Sequence, residues 1–107
     1  MFINLIDNAL AFCRNQEHAR VLIEGTQTND SVEIFIHNNG PAIPLAQLSS
    51  LFQPFVSKRA GGSGLGLAIV RRIMQAHNGT VSHRTDLGWP VSFVLQFPRL
   101  NKDNHND

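Results

Sequence analysis

A glycine-rich run, Gly61-Gly62-Ser63-Gly64-Leu65-Gly66, has a composition that suits phosphate binding. Glycine inside a helix or strand costs roughly 0.5–1 kcal/mol relative to alanine, so this run predicts a loop. A helical pattern from about Leu65 to His77 follows it directly. The free N–H groups and the positive dipole end of a helix N-terminus can hold a phosphate chain. A flexible hinge that caps the helix explains the loop, taken alone, equally well.

The glycine spacing does not match the common phosphate-binding motifs. The sequence has no G-x-x-x-x-G-K-[ST] segment, which excludes a P-loop. The spacing G-x-G-x-x-G also fails, because Leu67 stands where a third glycine would follow Gly62 and Gly64. A dinucleotide-binding unit would also have a strand immediately before the glycines, where this sequence has the basic loop Lys58-Arg59-Ala60.

A pair of asparagines near the N-terminus forms a second candidate group. Asn4 and Asn8 are four residues apart in a predicted helix, so they lie one turn apart on the same face. Asparagine is a poor residue for a helix interior. Two of them on one face indicate contact with a ligand or metal, or else a solvated face, and the helix alone favours the solvated face.

Composition narrows the classes of function. The chain has 107 residues and a formal net charge of +1, which fits one domain and gives no basic field for nucleic acid or a membrane surface. The single Cys13 excludes an internal disulfide framework and suits a reducing compartment. The sequence contains neither an apolar run of transmembrane length nor a visible signal peptide, so we expect a cytoplasmic location.

Three segments are predicted to be helical, over residues 2 to about 15, 45–52 and 65–77. The first has apolar residues at helical spacing: Phe2, Leu5, Ile6, Ala9 and Cys13. The third is expected to bury a similar stripe: Ile69, Val70, Ile73, Met74 and His77. Asn78-Gly79 ends this helix, with Gly79 predicted in the left-handed conformation.

Strands are predicted at residues 21–24, 32–37, 80–84 and 91–97, from short β-branched runs and period-two alternation. The first two form a hairpin, and Pro98 ends the last strand. The pattern therefore predicts an α+β domain over residues 1–100, with a sheet of about four strands and helices on one face. Residues 101–107 contain no apolar side chain and are predicted to be a disordered polar tail.

The candidate residues fall in four segments that resemble, in type and order, the motifs of a known family. The segments are Asn4–Ala9, Asn38–Pro44, Leu51–Phe55 and Gly62–Val70. They resemble the N box, first glycine box, F box and second glycine box of the sensor histidine kinase ATP-binding domain, a member of the Bergerat-fold superfamily. Gly88 with Phe93 resembles the weaker third glycine segment. The resemblance implies a two-layer sandwich of a mixed sheet with helices on one face, lacking the usual N-terminal strand pair.

The resemblance also implies ligands and residue roles. ATP and Mg²⁺ would be the bound groups, with Asn8 holding the metal and Asn4 lining the same phosphate pocket. Magnesium prefers oxygen ligands and takes few of them from the protein. Asn38 and Gly40 would lie at the adenine, Gly40 because it lets the backbone approach the base.

The second glycine box would contribute a lid and a phosphate cradle. Gly62, Gly64 and Gly66 would form the hinge and cradle, and Leu65 and Leu67 would anchor the following helix. Phe52 and Phe55 would pack beneath the lid. Lys58, with Arg59, could reach phosphate oxygens, and a pair of solvated loop charges is an equally good interpretation.

Three positions depart from the family pattern. Asn38 replaces an aspartate that accepts a hydrogen bond from the adenine amino group, and Ala42 replaces a glycine near the base. We therefore expect weaker ATP binding, which calorimetry on the Asn38→Asp variant would test. Asn4 stands where hydrolysing relatives carry a glutamate base, so steady ATP hydrolysis is not expected and no residue is assigned a catalytic acid–base role.

The resemblance implies a histidine protein kinase of a two-component regulatory system. The γ-phosphoryl group of ATP would pass to a histidine on a separate dimerisation domain and then to a response regulator. The isolated chain is therefore expected to be inactive. We expect no contact of this domain with nucleic acid or membrane. A truncated sheet edge would favour self-association. The alternative is a degenerate module that binds nucleotide weakly or not at all and acts through protein–protein contacts.

Overall fold

The computed structural model describes residues 2–53 and 66–99 of the chain. The helices and strands within these ranges are α1 Phe2–Cys13, β1 Val21–Gln27, β2 Ser31–Asn38, α2 Leu45–Leu48, α3 Gly66–Ala76, β3 Thr80–Arg84 and β4 Val91–Pro98. None of these helices is both long enough and apolar enough to span a bilayer. The predictions made for Lys58, Gly62, Gly64, Leu65 and the tail 101–107 lie outside the described residues.

The four strands form one sheet in the order β1-β2-β4-β3. Each neighbouring pair of these strands is antiparallel, so the expectation of a mixed sheet is wrong for the described part of the chain. β2 and β3 do run in the same direction, but β4 lies between them and separates the parallel strands. The α+β class with helices packed on a sheet is confirmed.

The core lies between the helices and one face of the sheet. β4 contributes Val91, Phe93 and Leu95, which alternate with residues of the opposite face and are buried. α1 contributes Leu5 and Ala9 to the same cluster. Full burial of such an apolar side chain stabilises the fold by about 1.5–3 kcal/mol, so this layer holds α1 against β2 and α3.

The apolar stripe predicted for α1 is confirmed at the residues that the core depends on. Leu5, Ala9 and Cys13 are all buried, at a spacing of four residues. The helix ends at Cys13, earlier than the predicted end at about residue 15. The Gln16 N–H donates to the Cys13 carbonyl at 3.0 Å, which turns the chain away from the helix axis.

The buried stripe of α3 differs from the prediction. Leu67, Val70 and Met74 are buried, whereas Ile69 is 42% exposed and His77 is also exposed. Residues i, i+3 and i+7 of a helix share one face, and Ile69 is rotated by about 200° from Leu67. The prediction is therefore confirmed at Val70 and Met74 and wrong at Ile69 and His77, and it omitted Leu67.

The end of α3 also differs from the prediction. Asn78, rather than Gly79, has the positive φ of 60°. Gly79 is needed for space, because a Cβ there would lie 2.5 Å from the backbone carbonyl oxygen of Gln96 on β4. The Gly79 N–H donates to the Met74 carbonyl at 2.7 Å, so the chain turns tightly into β3.

Candidate functional site

Asn8 lies inside the protein. Its exposed fraction is 4%, whereas Asn4, one turn earlier on α1, is half-buried. The solvated helix face, which the sequence of α1 alone favours, is therefore excluded at Asn8.

Gly40 brings the end of β2 against the last turn of α1. A Cβ at Gly40 would lie 2.6 Å from the Phe12 carbonyl carbon, so only glycine allows this approach. Phe12 follows Asn8 by four residues and shares its face of the helix. The end of β2 therefore lies against the last turn of α1, one turn beyond Asn8.

Asn38 is completely buried, with an exposed fraction of 0%. Its Oδ1 atom accepts a hydrogen bond from the Gly40 N–H at 2.9 Å, which forms a tight turn after β2. Its Nδ2 atom is buried and has no hydrogen-bond partner among the described residues. The side chain therefore presents one satisfied acceptor and one unsatisfied donor.

The remaining predicted site residues that the structure describes lie at the ends of two further segments. Ala42 is exposed in the loop after Gly40. Gly66 is the first residue of α3, and a Cβ there would meet nothing within 4 Å. Leu67 is buried in the core and anchors the first turn of α3. The structure thus supports an anchoring contact for Leu67 and shows no steric need for glycine at position 66 within the described residues.

Phe52 is held against the sheet by Phe93. The two rings meet edge to face, with centroids 6.1 Å apart. The His83 ring also contacts Phe93 edge to face, at 5.4 Å between centroids. Phe93 therefore packs against the segment after α2, and the expected packing of Phe52 and Phe55 beneath the lid stays a prediction, because Phe55 and the lid lie outside the described residues.

Asn39 is a positioning residue that the sequence analysis missed. Its Oδ1 accepts from the Arg20 N–H at 2.8 Å, and its Nδ2 donates to the His18 carbonyl at 2.7 Å. These bonds tie the segment before β1 to the end of β2. The sequence Asn38-Asn39-Gly40 predicts a turn here, but it does not indicate that Asn39 bonds to the backbone of residues 18 and 20.

A stack of side chains covers the sheet face opposite the helices. The His37 ring lies between those of Phe35 and Trp89, with centroid distances of 5.9 and 5.3 Å. The Arg20 guanidinium lies 5.2 Å from the Trp89 ring centroid, within cation–π range. His37 Nδ1 is 2.7 Å from Ser92 Oγ, so this ring is both buried and hydrogen-bonded.

Burial changes the protonation of two histidines. It lowers the pKa of His37 below the ordinary value of 6.5, and the Glu24 carboxylate, 3.6 Å from Nε2, opposes that change. Burial alone lowers the pKa of His83 below 6.5. The Nε2 atom of His83 is buried without a hydrogen-bond partner among the described residues. Both rings are therefore neutral in the folded protein at neutral pH.

We expect the free energy of unfolding to fall as the pH is lowered through about 6.5 towards 5, and to be fully retained above that range. The reason is that the unfolded chain then binds more protons than the folded chain, whose His37 and His83 resist protonation. Chemical denaturation at several pH values measures this dependence. His83→Val should flatten it and raise stability at low pH. His18→Gln, which removes an exposed histidine, is the matched control, and an equal flattening by both variants would contradict the assignment to His83.

The sequence is similar to curated sensor kinases. It is 33% identical over 97 residues to the alginate biosynthesis sensor protein KinB of Pseudomonas aeruginosa, a match that covers 89% of this chain and 16% of that protein. It is 32% identical over 110 residues to the sensory histidine kinase/phosphatase NtrB of Vibrio alginolyticus, covering 92% of this chain and 31% of that protein. The chain thus spans less than a third of the length of either relative.

The fold is similar to solved catalytic domains. The catalytic domain of histidine kinase ThkA matches with a TM-score of 0.79 and 29% identity, covering 94% of this chain and 64% of that one. Full-length ShkA in complex with AMPPNP matches with a TM-score of 0.76 and 30% identity, over 91% of this chain and 20% of that one. ThkA in complex with the response regulator protein TrrA matches with a TM-score of 0.71 and 27% identity, covering 94% of this chain and 28% of that one.

The family model described as histidine kinase-, DNA gyrase B- and HSP90-like ATPase matches residues 1–101. The chain belongs to this family. Within it, the relatives and the structural neighbours identify the ATP-binding catalytic domain of sensor histidine kinases. The predicted family and class are confirmed, and the alternative of a degenerate interaction module is not favoured.

Proposed function

We propose that this domain binds MgATP between α1 and the segment that follows β2, and supplies the γ-phosphoryl group to a histidine of a separate dimerisation domain. One observation carries the proposal: the buried Asn8 lies one turn before Phe12, against whose carbonyl Gly40 is packed. This contact supports neighbouring positions for Asn8, which would face the phosphates, and for the turn after β2, which would hold the base. Phosphoryl transfer needs positioning and electrostatic stabilisation more than protein acid–base chemistry, which suits a site built of amides and glycines.

The residues present fit a magnesium ion that is held mainly by the nucleotide. Among the described residues there is no group of three or more His, Cys, Asp or Glu side chains that could hold a metal. Mg²⁺ commonly keeps several waters and binds through substrate phosphates plus one or two protein oxygens. The Asn8 amide oxygen would supply the protein ligand, and the bound ion would neutralise charge on the β- and γ-phosphates. Asn4 would line the same pocket.

The other site assignments are proposed from the family resemblance. Ala42 would lie near the base, while Gly66 and Leu67 would place the N-terminus of α3 at the phosphates. Lys58, Gly62, Gly64 and Leu65 would complete the lid and cradle, and these four lie outside the described residues. Residues 1–100 would form the domain and 101–107 its polar tail.

The partners follow from the same proposal. A phosphoacceptor dimerisation domain and a response regulator are required for phosphoryl transfer, and the ThkA–TrrA complex contains a regulator of this kind. The cytoplasm supplies ATP and Mg²⁺ and suits the free, buried thiol of Cys13. Self-association through the edge strand β1 stays a prediction, supported by the exposed Leu22 and Ile23 on that strand.

Asn8→Ala is expected to weaken nucleotide binding at least about tenfold in the presence of Mg²⁺, because it removes the protein ligand of the ion. Calorimetric titration of ATP with Mg²⁺, and again with a chelator, measures this loss. The difference between the variant and the unmodified chain should largely disappear without Mg²⁺.

The exposed Asn15→Ala is the matched control and should bind as the unmodified chain does. Thermal unfolding of each variant separates loss of binding from loss of folding. Equal Mg²⁺-dependent binding by the Asn8→Ala variant and the unmodified chain would refute the metal role. Failure of the unmodified chain to bind any nucleotide would refute the proposed function itself.

A further inference from the structure

The side chain of Asn38 is fixed in one orientation. Its Oδ1 atom accepts the Gly40 N–H at 2.9 Å, and only an oxygen can fill that role. The remaining polar atom is Nδ2, a donor, which is buried and has no hydrogen-bond partner among the described residues. The orientation of the amide is thus set by the turn that follows β2.

The neighbouring strands cannot satisfy this donor with their side chains. Val21 lies opposite Asn38 on β1, and Val91 lies opposite it on β4. Both are apolar, and Val91 is also completely buried. Ser92, the next residue on β4, points to the other face of the sheet, where its hydroxyl contacts His37. An unsatisfied buried donor is costly, so a ligand that presents an acceptor here recovers that cost.

The chemistry of this donor differs from that of a carboxylate in the same turn. A carboxylate would accept the Gly40 N–H with one oxygen and offer its second oxygen, an acceptor, to the base. In Asn38 the second atom is Nδ2, so the polarity presented to the base is reversed. The purines differ at the same position, since adenine carries an amino donor at C6 and guanine and hypoxanthine carry an oxo acceptor.

We propose that the base-recognition position of this domain favours a 6-oxopurine nucleoside triphosphate, GTP or ITP, over ATP. The inference rests on the proposed function, because it takes Asn38 as the residue that faces the base. Nδ2 would donate to the 6-oxo group, whereas the adenine amino group would place two donors together. ATP binds the same site more weakly.

Titration of the chain with ATP, GTP and ITP at constant Mg²⁺, by calorimetry or by thermal shift, tests the proposal. GTP and ITP are expected to bind roughly tenfold more tightly than ATP. ITP carries the 6-oxo group without the 2-amino group of guanine, so similar binding of the two assigns the preference to C6. Asn38→Asp restores an acceptor and should reverse the order, making ATP the tightest ligand.

Asn15→Asp is the matched control, because it makes the same chemical change at an exposed position outside the proposed site. It should leave the order of the three nucleotides unchanged. Tighter binding of ATP than of GTP and ITP by the unmodified chain would overturn the inference while leaving the proposed function intact. Binding of none of the three would refute the proposed function as well. The comparison of nucleotides on the unmodified chain needs no variant and stands even where Asn38→Asp unfolds the protein.

Discussion

Gly40→Ala is expected to destabilise the domain by about 3 kcal/mol or more, because the new methyl group has no space. It would lie 2.6 Å from the Phe12 carbonyl carbon and 2.9 Å from Asn38 Oδ1. Neither neighbour can move cheaply, since the first belongs to the backbone of α1 and the second is fixed by its hydrogen bond to Gly40. Relief requires α1 to separate from the end of β2, which would also disturb the proposed nucleotide site.

Gly25→Ala is the control for this substitution. A Cβ at Gly25 would come no closer than 3.9 Å to the Glu33 carbonyl oxygen, and β1 is exposed. This variant should keep or slightly raise stability, since glycine in a strand interior is unfavourable. Urea unfolding of both variants gives the comparison, and equal stabilities would show that the Gly40 contact with Phe12 is not as close as described.

Phe93→Ala is expected to cost about 3–5 kcal/mol, the range for removing a large buried aromatic side chain. Phe93 is 1% exposed and lies at the centre of β4, where Phe52 and His83 both contact its ring. The cavity would remove the support beneath Phe52. Nucleotide affinity should therefore fall together with the unfolding midpoint in denaturant.

Phe97→Ala provides the comparison on the same strand and the same face. Phe97 is only partly buried at the periphery of the core, so its loss should cost clearly less than the loss of Phe93. Phe93→Leu, which refills most of the space, should recover much of the stability. Similar costs for the two alanine variants would contradict the central position of Phe93 in the core.

The fold was predictable where short-range patterns determine it. The period-two alternation of Val91, Phe93 and Leu95 predicted the buried face of β4, and the spacing of Leu5 and Ala9 predicted that of α1. The order and relative directions of the strands were harder to predict, because they depend on contacts between residues far apart in sequence. The phase of α3 was misjudged at Ile69 because several apolar residues there allow two helical faces.

The residues of the candidate site could be predicted from the sequence, but which atom of Asn38 is left to face a ligand could not. The sequence identifies Asn8 and Asn38, yet it does not show that Gly40 takes the Asn38 oxygen and leaves the nitrogen without a partner among the described residues. That fact depends on the conformation of the turn. The stack of Phe35, His37 and Trp89 was also missed, because it joins residues more than fifty positions apart through the far face of the sheet.

The turn after β2 has a consequence for the chemical ageing of the protein. Asn39-Gly40 is the dipeptide most prone to spontaneous deamidation in flexible chains, a reaction in which the glycine amide nitrogen attacks the asparagine carboxamide. Here that nitrogen donates its hydrogen to Asn38, and both polar atoms of the Asn39 carboxamide are bound to the backbone of residues 18 and 20. Folding therefore protects this dipeptide, and the isoaspartate that accumulates there in a stored sample would report how often the end of β2 has opened.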